Sequence, residues 1–248
     1  MKYSIIIPTL NEEKLLPQLL EQLTAEIILP KSDYEIIISD GGSKDGTEQI
    51  AARFGCSFLR HDPNIKDNIS AGRNKGGMKA QGEWLIFLNA DVRLDNVKNF
   101  FNFLEKIIYS PSPGKSSDLL AISGHVKVFP EEEILSDRIY HGFYYYYFHL
   151  LNFLGMGNGR GECQIIRKDI FTKIGGYDIN LAAGEDFDLF RRIKKIGKIL
   201  LTSSLLVYES PRRFRRFGYL NVTFMWLKNS SSIVLMKKSI SREWEEVR

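Results

Sequence analysis

Four groups of residues in this 248-residue chain have types and spacings that could do chemistry. Asn89, Ala90 and Asp91 follow directly on the apolar run Trp84-Leu85-Ile86-Phe87-Leu88. Such a run suits a strand buried on both faces of a parallel sheet, and open α/β sheets bind their ligands at the carboxyl ends of such strands. A carboxylate there, beside an amide and a small residue, suits a hard cation that keeps water and phosphate oxygens as its other ligands. Asn and Asp are equally at home in a turn or helix cap, and the stretch alone does not choose. Asp40 opens a second polar loop, Asp40-Gly41-Gly42-Ser43-Lys44-Asp45-Gly46-Thr47. Its chemistry favours a carboxylate accepting hydrogen bonds from a base or sugar, or else a plain turn. It lacks the Gly-Lys-Ser/Thr ending of a Walker loop and the glycine spacing of a dinucleotide fingerprint. Glu185 and Asp186 adjoin near the start of a helix, where a carboxylate is also a common cap, and Glu185 raises the proton affinity of Asp186 by like-charge repulsion. Arg212, Arg213, Arg215 and Arg216 crowd one short stretch, with Lys237, Lys238 and Arg242 beyond. They suggest an anionic partner (phosphate, membrane surface or nucleic acid) or a solvated face.

Elements that could position these groups are legible in the hydrophobic pattern. Tyr3 to Ile7 is a strand ended by Pro8. Thr9 to Glu12 make a turn, and Asn11 is expected to cap a helix through Leu15, Leu16, Leu19, Leu20 and Leu23, with Pro17 in its first turn. Glu35 to Ser39 is a second buried strand, a helix starts near Thr47, Phe58 to Arg60 is a short strand, and Ser70 to Lys79 is a helix carrying Arg73 and Asn74. The pattern βαβαβαβ argues a doubly wound, mainly parallel sheet of the α/β class with right-handed crossovers. It gathers Asn11, Asp40 and Asp91 onto one rim.

Beyond that, Val97 to Tyr109 reads as an amphipathic helix, and the Pro-, Ser- and Gly-rich Ser110 to Asp118 is the expected boundary between halves. Leu119 to Phe129 is a strand. Glu131 to Leu154 is a helix crowded with aromatic residues, suited to core packing or to an acceptor groove or membrane interface. Cys163 to Ile166 and Leu205 to Tyr208 are strands, and Lys168 to Ile174 and the stretch after Glu185 are helices. Tyr219 to Met236 is apolar but broken by Lys228, Asn229 and three serines, so it is expected to lie on a membrane or pack on the domain rather than span a bilayer.

Composition bounds the class. A 44% hydrophobic fraction and net charge of +4 are ordinary for a globular chain with a sizeable core. No signal peptide is apparent, so a cytoplasmic protein is expected, placed at the inner face of the membrane if the C-terminal segment docks there. Cys56 and Cys163 have no disulfide or metal spacing and read as buried thiols.

The segments SIIIPTLNEE, IIISDGGSKDGT and SAGRNKGGMKAQGEWLIFLNADVRL, in that order and spacing, resemble the nucleotide-binding half of a family 2 glycosyltransferase of the GT-A fold. GECQIIRKDIFTKIGGYD and GEDFDLFRRI resemble its acceptor side, so the likeness runs from Ser4 to Ile193. It implies a nucleotide-sugar-binding half over residues 1–110, an acceptor-binding and catalytic half of the same domain over 111–218, and a basic, amphipathic C-terminal helical segment over 219–248. It implies an inverting hexosyltransferase-like enzyme that moves a sugar from a nucleoside diphosphate donor, UDP ahead of GDP, to a sugar, small-molecule or lipid-linked acceptor.

By resemblance, Asp186 is the catalytic base with Glu185 its partner. Asp40 is the nucleobase carboxylate, Arg73 helps read the base, and Pro8, Thr9, Asn11 and Glu12 line the same rim. The family's Asp-X-Asp stands here as Asn89-Ala90-Asp91. Asp91 is then the ligand of Mg²⁺ or Mn²⁺, while Asn89 keeps an oxygen acceptor without the charge and, with Ala90, faces the nucleotide. The arginines Arg212, Arg213, Arg215 and Arg216 sit where the family often completes its phosphate site, and would meet diphosphate or acceptor. A catalytically weak nucleotide-sugar-binding protein of the same fold is the first alternative. A nucleic-acid binder is the second, with no RNA motif to support it, and no nucleic acid partner is expected.

Overall fold

The computed structural model of the chain describes residues 1–64, 68–110 and 118–241. Its frame is a sheet of eight strands in the order β3-β2-β1-β4-β7-β6-β8-β5. In chain order the elements begin β1 (Tyr3–Thr9), α1 (Leu16–Glu26), β2 (Tyr34–Asp40), α2 (Thr47–Arg53), β3 (Ser57–Leu59), α3 (Ile69–Lys79), β4 (Trp84–Leu88), β5 (Val92–Leu94) and α4 (Val97–Leu104). They continue with β6 (Leu119–Val128), α5 (Leu135–Phe153), β7 (Cys163–Arg167), α6 (Lys168–Lys173), α7 (Glu185–Lys194), β8 (Lys198–Glu209), α8 (Arg212–Phe217) and α9 (Tyr219–Met236). The first four strands pair in parallel, while β7 runs antiparallel between β4 and β6.

The apolar runs are continuous because both faces of the sheet are covered. Ile5, Ile7, Ile36, Ile38, Trp84, Ile86 and Leu88 pack on one side with leucines of α1 and phenylalanines of α4. Ile6, Ile37, Leu85 and Phe87 pack on the other, with Phe171 of α6 and Leu189 and Phe190 of α7. Alternate residues of one strand therefore enter different cores, the signature of a doubly covered sheet. Pro8 is tolerated in a central strand because β4 pairs only with Tyr3 to Ile6, so the ladder on that side has ended before a missing N–H matters.

Several elements differ from the sequence reading. Asn11 does not cap α1. Its backbone is left-handed (φ 52°), which Asn tolerates. Its side-chain oxygen accepts from the Lys44 N–H at 2.7 Å and its N–H donates to Ser43 Oγ at 2.8 Å, tying the first turn to the Asp40 loop. The helix from Val97 tightens only as far as Leu104 and continues to Tyr109 as a π-helical turn. α5 starts at Leu135, not Glu131, and the third strand lies one residue earlier than expected. β8 is far longer than Leu205 to Tyr208, and the arginine cluster from Arg212 to Phe217 forms a short helix. The boundary expected at Ser110 to Asp118 lies mostly outside the described residues, as does Arg242.

Two outer helices expose apolar stripes. On α5, Leu135, Ile139, Phe143, Tyr146, Leu150 and Phe153 recur at helical spacing and face outward; on α9, Leu220, Phe224, Leu227, Val234 and Leu235 do the same. Among the described residues no helix is long and apolar enough to cross a membrane.

α3 passes close over β1 because Gly76 has no side chain. A Cβ there would lie 2.4 Å from Ile6 Cγ2, on a stiff, β-branched and fully buried side chain. Gly76→Ala should therefore destabilise the protein by about 1–3 kcal/mol through overpacking, despite a helix-propensity gain of about 1 kcal/mol. Urea unfolding measures this, and a rise in stability would contradict the packing argument.

Candidate active site

The carboxyl ends of β1, β2 and β4 open into a cavity of about 1070 Å³, at the upper end of small-molecule sites. Pro8, Thr9, Glu12, Asn89, Ala90 and Asp91 line one side, Glu185 and Asp186 at the start of α7 another, and Tyr144, Tyr147, Phe148 and Trp226 of α5 and α9 the far wall.

Asp186 sits at the head of α7 with its Oδ1 accepting from the Phe187 N–H at 2.8 Å. Burial pushes its carboxyl up to about 7, the Glu185 charge adds to the rise, and the Arg73 guanidinium pulls the other way. Gly161 leaves room for it, since a Cβ there would stand 3.1 Å from Asp186 Oδ2. The result is a carboxyl poised near neutral pH on a cavity wall, the condition a general base needs.

Arg73 is placed differently from the expectation. It is 1% exposed, with Nη1 donating to Glu185 Oε1 at 2.9 Å, and Nη2 to Asn89 Oδ1 at 2.9 Å and to the Gly161 carbonyl at 2.8 Å. The guanidinium holds three segments together through Nη1 and Nη2, at the edge of the cavity it helps to line. Asn89 meets the same guanidinium: its oxygen accepts from Arg73 and, being uncharged, is a weaker ligand for a cation than a carboxylate.

Asp40 is also differently occupied. Its Oδ1 accepts from Thr9 Oγ1 and Ser43 Oγ, and its Oδ2 from the Gly42 and Ser43 N–H groups. A carboxylate offers about four acceptor positions, and here the loop's own donors fill them. Asp40 shapes the loop, and Gly41 and Ser39 line the cavity beside it.

The four arginines divide. Arg212 Nη2 donates to Asp91 Oδ2 at 2.9 Å and lies 3.4 Å from Glu12 Oε1. Burial raises the Asp91 carboxyl above its ordinary range, and Arg212 opposes that rise. Arg213 also lines the cavity. Arg215 is turned away: both its terminal nitrogens reach the carboxylate of Asp137, which is fully buried on α5 and also accepts from Tyr219. Arg216 lies over the Phe217 ring. The expectation of phosphate or acceptor contact is therefore corrected for Arg215, which clamps α8 to α5.

Sequence reasoning missed a buried cluster on the cavity floor. Arg160 donates from Nε and Nη2 to Glu162 at 2.9 and 3.0 Å and from Nη2 to Glu209 at 2.6 Å, and stacks on Trp226. Burial pushes the Glu209 carboxyl well up, and the Glu162 charge adds to it. Burial pushes Glu162 up as well, but Arg160 outweighs it and holds that carboxylate below its ordinary range. The signal was present for Glu209: like Asp40 and Asp91, it ends an apolar strand at the ligand-binding rim.

Asp91 and Glu12 point oxygens at one guanidinium nitrogen, so this place already draws a positive charge. Oxygen donors of this kind fit Mg²⁺ or Mn²⁺ completed by water and phosphate. Among the described residues no three His, Cys, Asp or Glu side chains converge on a metal position; Asp91 and Glu12 are the two carboxylates that would face such an ion.

The chain matches the family model described as Glycosyl transferase family 2 over residues 4–175. It is 36% identical to glycosyltransferase AglE of Haloferax volcanii across 36% of this chain and 30% of that protein. It superposes on TarS 1–349 of Staphylococcus aureus, solved with UDP-GlcNAc, with a TM-score of 0.61 at 19% identity over 85% of this chain and 58% of that one. It superposes on the mannosyltransferase PcManGT of Pyrobaculum calidifontis, solved with GDP-Man and Mn²⁺, with a TM-score of 0.65 at 16% identity over 84% of this chain and 56% of that one. At those identities the two structures speak for the fold, and the chain spans only 30% of the length of AglE.

Proposed function

Because this chain belongs to glycosyltransferase family 2, we propose that it transfers a sugar from a nucleoside diphosphate donor, UDP ahead of GDP, to an acceptor hydroxyl with inversion at the anomeric carbon. The observation that carries this reading is a carboxyl held near pH 7, Asp186, on the wall of the cavity that also holds Asp91 and Arg212. Asp186 takes the acceptor hydroxyl's proton. The freed oxygen bonds to the anomeric carbon as the bond to the diphosphate breaks, and the diphosphate leaves with that electron pair. Asp91, with Glu12 beside it, would hold Mg²⁺ or Mn²⁺, which when bound offsets the charge of the leaving diphosphate. Arg212 and Arg213 supply donors for the same phosphates. The charges of Glu185 and Arg73 tune the proton affinity of Asp186.

The acceptor side combines a polar floor with an apolar wall. Arg160, Glu162 and Glu209 offer donors and acceptors to sugar hydroxyls, while Tyr147, Phe148, Leu227 and Leu235 suit an apolar portion. Leu227 and Leu235 also belong to the exposed stripe of α9, so the cavity wall continues onto an apolar outer surface beside Lys237 and Lys238. A lipid-linked acceptor presented at a membrane surface fits that continuity.

Calorimetric titration of the full chain with UDP and with GDP, each with and without Mn²⁺, tests the donor reading. One diphosphate is expected to bind, more tightly with the metal. Failure of both to bind the folded protein would overturn it.

A further inference from the structure

Resting on that donor reading, we infer that Arg212 and the divalent cation are alternative occupants of one place. In the free protein the Arg212 guanidinium is the cation of the Asp91–Glu12 position, and a metal ion gains that position only as a diphosphate draws Arg212 away.

The geometry sets the two in competition. Arg212 Nη2 lies 2.9 Å from Asp91 Oδ2 and 3.4 Å from Glu12 Oε1, so the oxygens that would face a hard cation already face a guanidinium. A cation bonded to Asp91 at about 2.0–2.2 Å and Arg212 at its present distance would place two positive centres in contact. The other oxygen of the motif is a weaker ligand, because Asn89 Oδ1 carries no charge and already accepts from Arg73. A diphosphate changes the balance: it brings acceptors matched to the guanidinium fork, and its charge calls for more positive charge than one arginine carries.

The fold makes this a side-chain exchange rather than a helix displacement. Arg212 is the first residue of α8, and three residues on Arg215 is clamped by the buried Asp137. The helix stays fixed while the long Arg212 side chain swings from carboxylate to phosphate. Metal and nucleotide binding are then coupled, each favouring the other.

Mn²⁺ binding to the full chain, followed by electron paramagnetic resonance of free aqueous Mn²⁺ without nucleotide, tests the inference independently of turnover. Arg212→Gln should bind Mn²⁺ at least tenfold more tightly than the unaltered chain. That gain should vanish in Arg212→Gln/Asp91→Asn. Arg212→Met serves in the same comparison if the Gln variant does not fold, as judged by circular dichroism. Equal or weaker Mn²⁺ binding by a folded Arg212 variant would overturn the exchange. If UDP or GDP binds while that equality is found, the exchange fails and the donor reading stands. If neither diphosphate binds, the donor reading fails, and tighter Mn²⁺ binding by the variant still reports that Arg212 occupies the cation's place.

Discussion

Asp186→Asn should lower turnover by roughly 10²–10⁴-fold, the usual contribution of a positioned general base, while leaving diphosphate affinity almost intact. The change removes a proton acceptor and little else, because Asp186 Oδ1 keeps its contact with the Phe187 N–H if the amide oxygen takes that position. Two further readouts separate a base from a structural cap. In the unaltered enzyme kcat/KM should rise with pH through a midpoint near 7 and level off above it, since burial and Glu185 hold the carboxyl protonated below that point. Stability should move the opposite way. The folded carboxyl titrates near 7 and the unfolded one near 3.8, so between these values the folded state binds more protons. Stability is greatest at the acid end of that window and declines as pH rises through it. Asp186→Asn should therefore melt higher than the parent at pH 8, with the difference shrinking toward pH 5. Loss of turnover and of nucleotide binding together, with a lower melting temperature, would assign Asp186 to structure instead.

Arg73→Met should cost about 3–5 kcal/mol, the expected penalty for stranding a buried charge by removing its partner. Glu185 is 8% exposed and faces Arg73 at 2.9 Å, while Asn89 and the Gly161 carbonyl lose their donors in the same step. Methionine keeps an apolar stem, so the loss reports charge and hydrogen bonding more than volume. Adding Glu185→Gln should recover part of it, because a neutral amide no longer demands a counter-charge, and the double-mutant cycle measures that coupling. With the guanidinium gone, the pH limb assigned to Asp186 should also shift upward. Urea unfolding that finds a cost below about 1 kcal/mol would show that the buried ion pair is not what holds these segments.

The parallel half of the sheet was legible because its code is local. Ile5 to Ile7, Ile36 to Ile38 and Trp84 to Leu88 are short unbroken apolar runs, each followed by a polar turn, and that pattern has few other meanings. β8 was not legible over Lys198 to Ser204. Its register shifts between Gly124 and His125 opposite Thr202 and Leu206, and the bulge leaves Ser203 and Ser204 exposed, so the run looks like a loop. At the site, the positions of Asp91 and Asp186 followed from strand and helix ends. The commitments of Asp40, Arg73 and Arg215 did not. Arg73 and Arg215 depend on partners far away in the chain, Glu185 and Asp137, and spacing along the sequence carries no information about which donor reaches an acceptor first. Asp40 is filled mostly by its own loop, through a local fold of Gly42 and Ser43 that composition alone does not specify.

The antiparallel ladder from Trp84↔Arg167 to Leu88↔Cys163 has a consequence for anyone wishing to regraft this scaffold. It puts Asn89 directly beside Glu162, whose carbonyl faces the Asn89 N–H at 3.4 Å, so the parallel strands and the later strands share a seam rather than a linker. Because side chains alternate along a strand, a slip of one residue at that seam would turn Gln164 and Ile165 to each other's faces and carry the neighbouring Glu162 out of register with Asp91. A chimera that borrows the later strands from another chain must therefore inherit the register of this seam before the identity of any loop, and its success would be decided by strand pairing.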